Sequence, residues 1–254
     1  MEYTGFDANF SLTGKVAVIT GGAAGIGHAI ATLYLKKGAK VIILDRSDKV
    51  ADIAKELSAH DAAGFYCDVS QKESIETAFQ QAKDQFGQVD ILVNSAGIVA
   101  LDPATDVTEN AWDTTIAVNL KGVFLMSQIV GKHLIAQGHG KIINLASQAG
   151  IVALPNHLAY CASKAGVIGM TQVLALEWGP LGVQVNAISP TVVLTELGRK
   201  AWSGEVADAM ILKIPTRRFA HPPEVAACAV FLASDAANMI TGANLVIDGG
   251  YTIQ

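Results

Sequence analysis

Apolar and polar positions divide the 254-residue chain into two alternating kinds of segment. Short, β-branched, almost wholly apolar runs occupy residues 15–20, 40–45, 90–94, 140–145 and 183–189. Runs that are apolar on both faces suit strands of a parallel sheet covered on both sides. Between them, at 26–37, 74–86, 110–137 and 160–178, apolar residues recur at helical spacing. This alternation predicts an α/β fold with a doubly wound parallel sheet, because a parallel neighbour is reached only through a crossover. A weaker run at 64–67 and a last one at 244–247 bring the expected strands to seven. No repeat, low-complexity tract or linker interrupts the pattern, so residues 15–254 read as one Rossmann-like domain. Residues 1–14, with Phe6, Phe10 and Leu12, read as an N-terminal extension packed on the surface or on a neighbouring subunit. Residues 190–219 lack a clear period and are expected to form an irregular, flexible lid.

Half the chain is apolar, ample for a large core. The net charge is −5 and no run of Lys or Arg occurs, which argues against nucleic acid or an anionic membrane as partner and for a small-molecule substrate. Cys67, Cys161 and Cys228 are odd in number and far apart, so neither a disulfide framework nor a CxxC motif is expected, and a reducing compartment fits best. With no basic leader and no run of eighteen apolar residues, the protein is expected to be cytoplasmic. Histidines 28, 60, 133, 139 and 221 lack metal-ligand grouping, so no catalytic metal is expected.

The first strand runs into Thr20-Gly21-Gly22-Ala23-Ala24-Gly25-Ile26-Gly27 and then directly into a helix. Glycines at such a place let backbone approach a pyrophosphate resting on a helix N-terminus. The second strand ends at Asp45, where a carboxylate accepts from both ribose hydroxyls and repels a 2′-phosphate; this predicts NAD as cofactor rather than NADP. The alternative is that Asp45 merely starts a turn with Arg46 and Ser47. Two further strand ends would complete a binding edge. Asp68, with Val69 beside it, could accept from an adenine amino group, and the small residues Ser95, Ala96 and Gly97 would admit a cofactor sugar. Asn94 either serves that edge or ties two strands together through its amide.

Tyr160 and Lys164, four residues apart, share a helix face, with Ser147 thirteen residues upstream of Tyr160. Bringing a tyrosine from a pKa of about 10 to about 7 requires roughly 4 kcal/mol. An ammonium at about 4 Å in an effective dielectric near 20 supplies about that much. The trio therefore reads as a proton-transfer site in which Lys164 holds the phenol acidic.

Together these motifs resemble the short-chain dehydrogenase/reductase family, over residues 15–251. Thr20, Gly21, Gly25 and Gly27 match its glycine motif; Asn94 to Gly97 match its Asn-Asn-Ala-Gly motif, with Ser95 replacing the second Asn; Asn119, Ser147, Tyr160 and Lys164 match its active-site tetrad. The usual Pro-Gly after the sixth strand is Pro190-Thr191 here, a change expected to alter the turn beside the nicotinamide. The resemblance implies that Tyr160 is the acid/base of hydride transfer and that Lys164 also binds the nicotinamide ribose. It further implies that Ser147 holds the substrate oxygen, that Asn119 helps seat a relay water, and that Val193 and Thr195 fix the carboxamide. It also implies a homotetramer, for which the apolar helix at 225–232 and the tail at 241–254 would suit a dimer face.

The stretch 190–203 is similar to the substrate loop of L-xylulose reductase-like members, and Asp248-Gly-Gly-Tyr251 is shared with polyol dehydrogenases. A polyol or diol and its ketone are the expected substrate pair, with Gln148, Asn156 and His157 near extra hydroxyls and Trp202 over the carbon chain. Each has a plainer reading as turn, cap or packing residue. The rival reading is reduction of a 3-oxoacyl thioester on an acyl carrier protein, which Asp45 opposes. A Ser147–Lys164 hydrolase lacks G-x-S-x-G and leaves the glycine loop unexplained, and a non-catalytic NAD sensor leaves the tetrad unexplained.

Overall fold

The computed structural model describes residues 5–253; the first four residues of the expected extension, and Gln254 of the expected dimer face, lie outside them. Seven strands form one parallel sheet in the order β3-β2-β1-β4-β5-β6-β7: β1 (Val16–Thr20), β2 (Lys40–Asp45), β3 (Ala62–Tyr66), β4 (Ile91–Asn94), β5 (Gly140–Leu145), β6 (Val183–Pro190) and β7 (Asn244–Ile247). The order reverses between β1 and β4, so the loops leaving these two strands part to opposite sides and open a crevice at their carboxyl ends.

Alternate residues of each strand feed two cores. Ala17, Ile19, Val41, Ile43, Val93 and Ile143 face α1 (Gly25–Lys36), α2 (Val50–Leu57) and the later helix α9 (Pro222–Ala233). Val18, Ile42, Leu44, Leu92 and Ile142 face α3 (Lys72–Phe86) and α5 (Gly122–Gln137) on the other side. Both faces are dry, which is why the strands are apolar throughout rather than alternating. The weak third run has a physical reason: β3 is an edge strand, only half-buried, with Tyr66 exposed.

The long helical pattern at 110–137 is broken into α4 (Glu109–Ile116), a π turn at Ala117–Lys121, and α5. Glu109–Gln137 is long and apolar enough to cross a membrane by length and composition alone; more than half of its apolar window is buried inside the domain. α6 (Leu158–Trp178) covers β6.

Two expectations change, and a third is narrowed. Residues 196–212 are not irregular: they form α7 (Glu196–Ala201) and α8 (Gly204–Leu212). Ala207, Met210, Ile214 and Phe219 make a small separate core there, against which Trp202 and Tyr251 pack. The apolar residues of the helix at 225–232 do not form a free face, since Val225, Ala226, Ala229 and Val230 are buried against the α1 side of the sheet, where Tyr34 also donates to the Ala229 carbonyl at 3.0 Å. The N-terminal segment packs on its own chain: Phe10 meets Phe231 edge-on at 5.9 Å and Leu12 is buried, while Phe6 is exposed.

Candidate active site

A cavity of about 560 Å³ lies over the carboxyl ends of β1, β2, β4, β5 and β6. Its β1 side is made of backbone. A Cβ on Gly21 would stand 2.8 Å from Ala96 Cα, and one on Gly27 would stand 2.3 Å from the Gly21 carbonyl oxygen. Only glycine fits this close loop-to-helix approach. The loop opens on the N-terminus of α1, whose cap residue Ala24 offers no side-chain acceptor, so the first-turn N–H groups receive no cap from it. Thr20 Oγ1 accepts from the N–H groups of Ser95 and Ala96 at 3.1 and 3.2 Å and joins this loop to the end of β4. Asp45 lines the cavity while its carboxylate accepts from Ala23 N–H and Ser47 N–H, both at 3.1 Å. Asp45 thus starts a turn and at the same time presents a carboxylate to the site.

The β5 side is made of side chains. Ser147 caps a short 3-10 turn, Gln148–Gly150, by accepting from Ala149 N–H at 3.1 Å, and its hydroxyl also reaches Tyr160. A Cβ on Gly150 would lie 2.8 Å from the Lys164 carbonyl, so the absence of a side chain lets this turn press on α6. That approach brings Ser147 to Tyr160 despite twelve intervening residues. Lys164 is buried, and its ammonium donates to the Leu145 carbonyl at 2.6 Å, with Nζ 5.6 Å from the centre of the Tyr160 ring.

This geometry corrects the expectation for the phenol. Burial raises the Tyr160 pKa above its ordinary value, and the hydrogen bond from Ser147 only partly offsets it. Burial also pulls Lys164 down, from 10.5 to about 8. The ammonium is anchored on the Leu145 carbonyl at the end of β5 and meets the Tyr160 ring rather than a hydrogen-bonding partner on it. In the free protein, desolvation outweighs the attraction that spacing alone suggested.

Asn119, fully buried in the π turn, has both amide hydrogens engaged, with the Ile98 carbonyl at 2.8 Å and Ser163 Oγ at 3.2 Å. Its oxygen accepts from Ile98 N–H at 2.9 Å. The wider turn, closed by Gly122 N–H on the Ala117 carbonyl, is the kind of helix defect that re-aims a side chain. Asn119 thus clamps the loop after β4 to α6, and none of its amide hydrogens remains for a relay water.

Gly25, Ile26, Gly97, Pro190, Val193, Thr195, His157 and Trp202 all line the cavity. Thr195 also caps α7, accepting from Gly198 N–H at 3.0 Å. His157 Nδ1 donates to the Pro155 carbonyl at 2.6 Å, which leaves Nε2 as an acceptor, and its ring meets Tyr160 edge-on at 6.1 Å. Trp202 stacks edge-on against Phe219 at 6.2 Å. Asn156 takes the plainer reading: at φ 63° it is a turn residue.

Asp68, Val69 and Asn94 lie outside the lining. Asp68 accepts from the Ser70 backbone and hydroxyl at 2.9 and 2.7 Å, and Val69 belongs to the α3 core. Asn94 donates to Ser127 and Asn144, the strand-tying reading. At the Thr191 position the backbone N–H continues the ladder to the Ile247 carbonyl at 3.1 Å, and its φ is not positive. The Asp248-Gly-Gly-Tyr251 motif supports the lid, with Asp248 accepting from Gly250 N–H and Thr252 N–H while Tyr251 packs on the lid core. Sequence reasoning passed over Ile98, Val99 and Leu154, which line the cavity too. The apolar Ile98-Val99 pair straight after Gly97 is the signal that points to them.

Glycine loop, strand-end carboxylate and the Ser147-Tyr160-Lys164 trio on one crevice, with Asn119 buried behind it, define a nucleotide-dependent oxidoreductase of the short-chain type. The chain belongs to the short-chain dehydrogenase/reductase family: residues 21–252 match a family model described as enoyl-(acyl carrier protein) reductase. It is 54% identical over 254 residues, covering 100% of both chains, to an NAD-dependent glycerol dehydrogenase of Listeria innocua. It is 55% identical to a D-threitol dehydrogenase of Mycolicibacterium smegmatis, over 98% of this chain and 96% of that one. Among solved structures it superposes on a 3-ketoacyl-(acyl-carrier-protein) reductase of Brucella melitensis complexed with NADH, with a TM-score of 0.89 and 36% identity over 95% of this chain and 100% of that one.

Proposed function

We propose that this protein is an NAD-dependent dehydrogenase that interconverts a secondary alcohol, of the polyol or diol kind, and its ketone. The observation that carries this reading is one cavity holding Ser147, Tyr160 and Lys164 at one end and an uncapped helix N-terminus with Asp45 at the other. The glycine cradle and the carboxylate fit a dinucleotide with free ribose hydroxyls, and the relatives named for polyols and for NAD support the same choice. When bound, the nicotinamide accepts or donates the hydride. Tyr160 gives its phenol proton to the carbonyl oxygen in reduction and, as the phenolate, takes the hydroxyl proton in oxidation, Ser147 orients the oxygen, and Lys164 carries positive charge beneath the site. Ile26, Val193 and Thr195 complete the cofactor bed, and Asp68 and Val69, at the end of β3 beyond the cavity lining, are proposed for its adenine edge. Gln148, His157 and Trp202 surround the rest of the substrate.

A cytoplasmic homotetramer with no nucleic-acid or membrane partner completes the proposal. It is supported by the acidic balance and by exposed apolar residues such as Val246, Met239 and Ile253 near the last strand. The test is an absorbance assay of NADH formation from purified protein with polyols, diols and secondary alcohols, and of its consumption with ketoses and an acetoacetyl thioester. Turnover of the polyols with NAD is the expected result; activity confined to the thioester overturns it. Tyr160→Phe should lower kcat by about 10²–10⁴-fold while NAD still binds by fluorescence titration. Retained turnover would remove Tyr160 from the proton step.

A further inference from the structure

Among the described residues, four buried side-chain atoms have no hydrogen-bond partner: Asn94 Oδ1, His133 Nε2, Gln148 Oε1 and Thr191 Oγ1. Of their residues, Gln148 and Thr191 also line the cavity. Both lie three residues beyond the last pair of the β5–β6 ladder, Leu145↔Ile188, and so stand at neighbouring strand ends beside Ser147. This is the reacting end of the cavity, two strands and more from the glycine loop of β1 and Asp45 of β2.

Packing does not explain the Thr191 hydroxyl. The residue is 8% exposed, and a valine would fill the same volume without an unsatisfied polar atom. The backbone does not require threonine either, since its N–H continues the strand ladder in ordinary extended geometry. A buried polar atom left unpaired on a cavity-lining residue can gain a partner from what enters the cavity. Two of them at neighbouring strand ends on one cavity fit a ligand with more than one hydroxyl. Gln148 offers an acceptor, and Thr191 offers a donor and an acceptor.

We propose that Thr191 is a specificity-determining residue whose hydroxyl bonds a substrate hydroxyl on the carbon next to the reacting one, with Gln148 Oε1 accepting from the same vicinal pair. The assignment rests on the alcohol dehydrogenase reading above. It makes the neighbouring hydroxyl, rather than chain length, the feature that the site selects.

The probes are butane-2,3-diol and butan-2-ol, which share a carbon skeleton and differ in that one hydroxyl. kcat/KM is measured for each with NAD in the wild type, Thr191→Val and Thr191→Ser. The ratio of diol to mono-alcohol should fall roughly tenfold or more in Thr191→Val, the size of one lost hydrogen bond in a dry site, and recover in Thr191→Ser. An unchanged ratio in Thr191→Val overturns the proposal, as does a wild type without preference for the diol. A rise in KM for NAD with the ratio intact also overturns it and assigns the hydroxyl to the cofactor. A wild type that oxidises neither probe nor any polyol sinks the dehydrogenase reading itself; a wild type that oxidises both, with a ratio indifferent to residue 191, sinks only the Thr191 assignment.

Discussion

The two ends of the cavity are built on different principles. At the β1–β2 end the surface is backbone: glycines at 21 and 27 where a Cβ would collide, free helix N–H groups, and one carboxylate at the end of β2. At the β6 end the surface is side chain: Trp202, His157 and Thr191, backed by two short helices with a small core of their own. Backbone recognition tolerates almost no change and serves a ligand that does not vary. Side-chain recognition can be altered one residue at a time, which suits the part of the ligand that differs between related enzymes.

Substitutions at each end should expose this difference. The largest effect is expected from Gly27→Ala, whose methyl would press on the Gly21 carbonyl. Overpacking of this kind costs about 1–3 kcal/mol, and the loop cannot yield without spoiling the nucleotide cradle. Both the urea midpoint and the affinity for NAD should drop, and a normal NAD titration would show that the backbone end is less rigid than the comparison claims. Next comes Asp45→Ala, expected to narrow the preference for NAD over NADP by roughly 10–100-fold, the size of a charged hydrogen bond. An unchanged ratio of kcat/KM values would leave Asp45 as a turn residue alone. Trp202→Ala should raise KM for the alcohol about tenfold and leave NAD affinity in place, because its ring packs on Phe219 within the lid rather than on the main core. Equal losses for both ligands would erase the division between the ends.

The smallest effect is a control at the amino end of β5, far from either. Buried Lys141 donates to the Ser234 carbonyl at 2.6 Å, and burial lowers its pKa from 10.5 to about 8. Between pH 8 and 10.5 the unfolded chain holds a proton at this position that the folded chain has begun to release. Stability should therefore rise as pH climbs through that window and stay flat below it. Lys164 is shifted the same way, so Lys141→Met should remove part of the rise, on the order of 1 kcal/mol, in chemical denaturation at pH 8 and 10.

Legibility in the sequence followed the same division. Five strands could be read because both faces are dry, and the β1 loop could be read because only glycine fits where backbone meets backbone. β3 was faint because an edge strand is half wet. The lid helices were missed because Glu196–Ala201 and Gly204–Leu212 are too short to show a period and take their stability from packing on Trp202, Phe219 and Tyr251. The helix at 225–232 looked like a free apolar face because composition does not tell an interface from an internal seam against α1.

Ser147, Tyr160 and Lys164 show the limit most plainly. Their spacing along the chain determined that a serine, a phenol and an ammonium would share one site, because a helix places residues four apart on one face and a parallel sheet gathers its loops at one edge. The protonation behaviour of the group was decided by the tertiary structure. Burial raises Tyr160 and lowers Lys164, and the Leu145 carbonyl takes the hydrogen bond of the ammonium. Identity and order of residues set which groups meet; desolvation and the positions of backbone dipoles, which exist only once the chain is packed, set what those groups do on meeting.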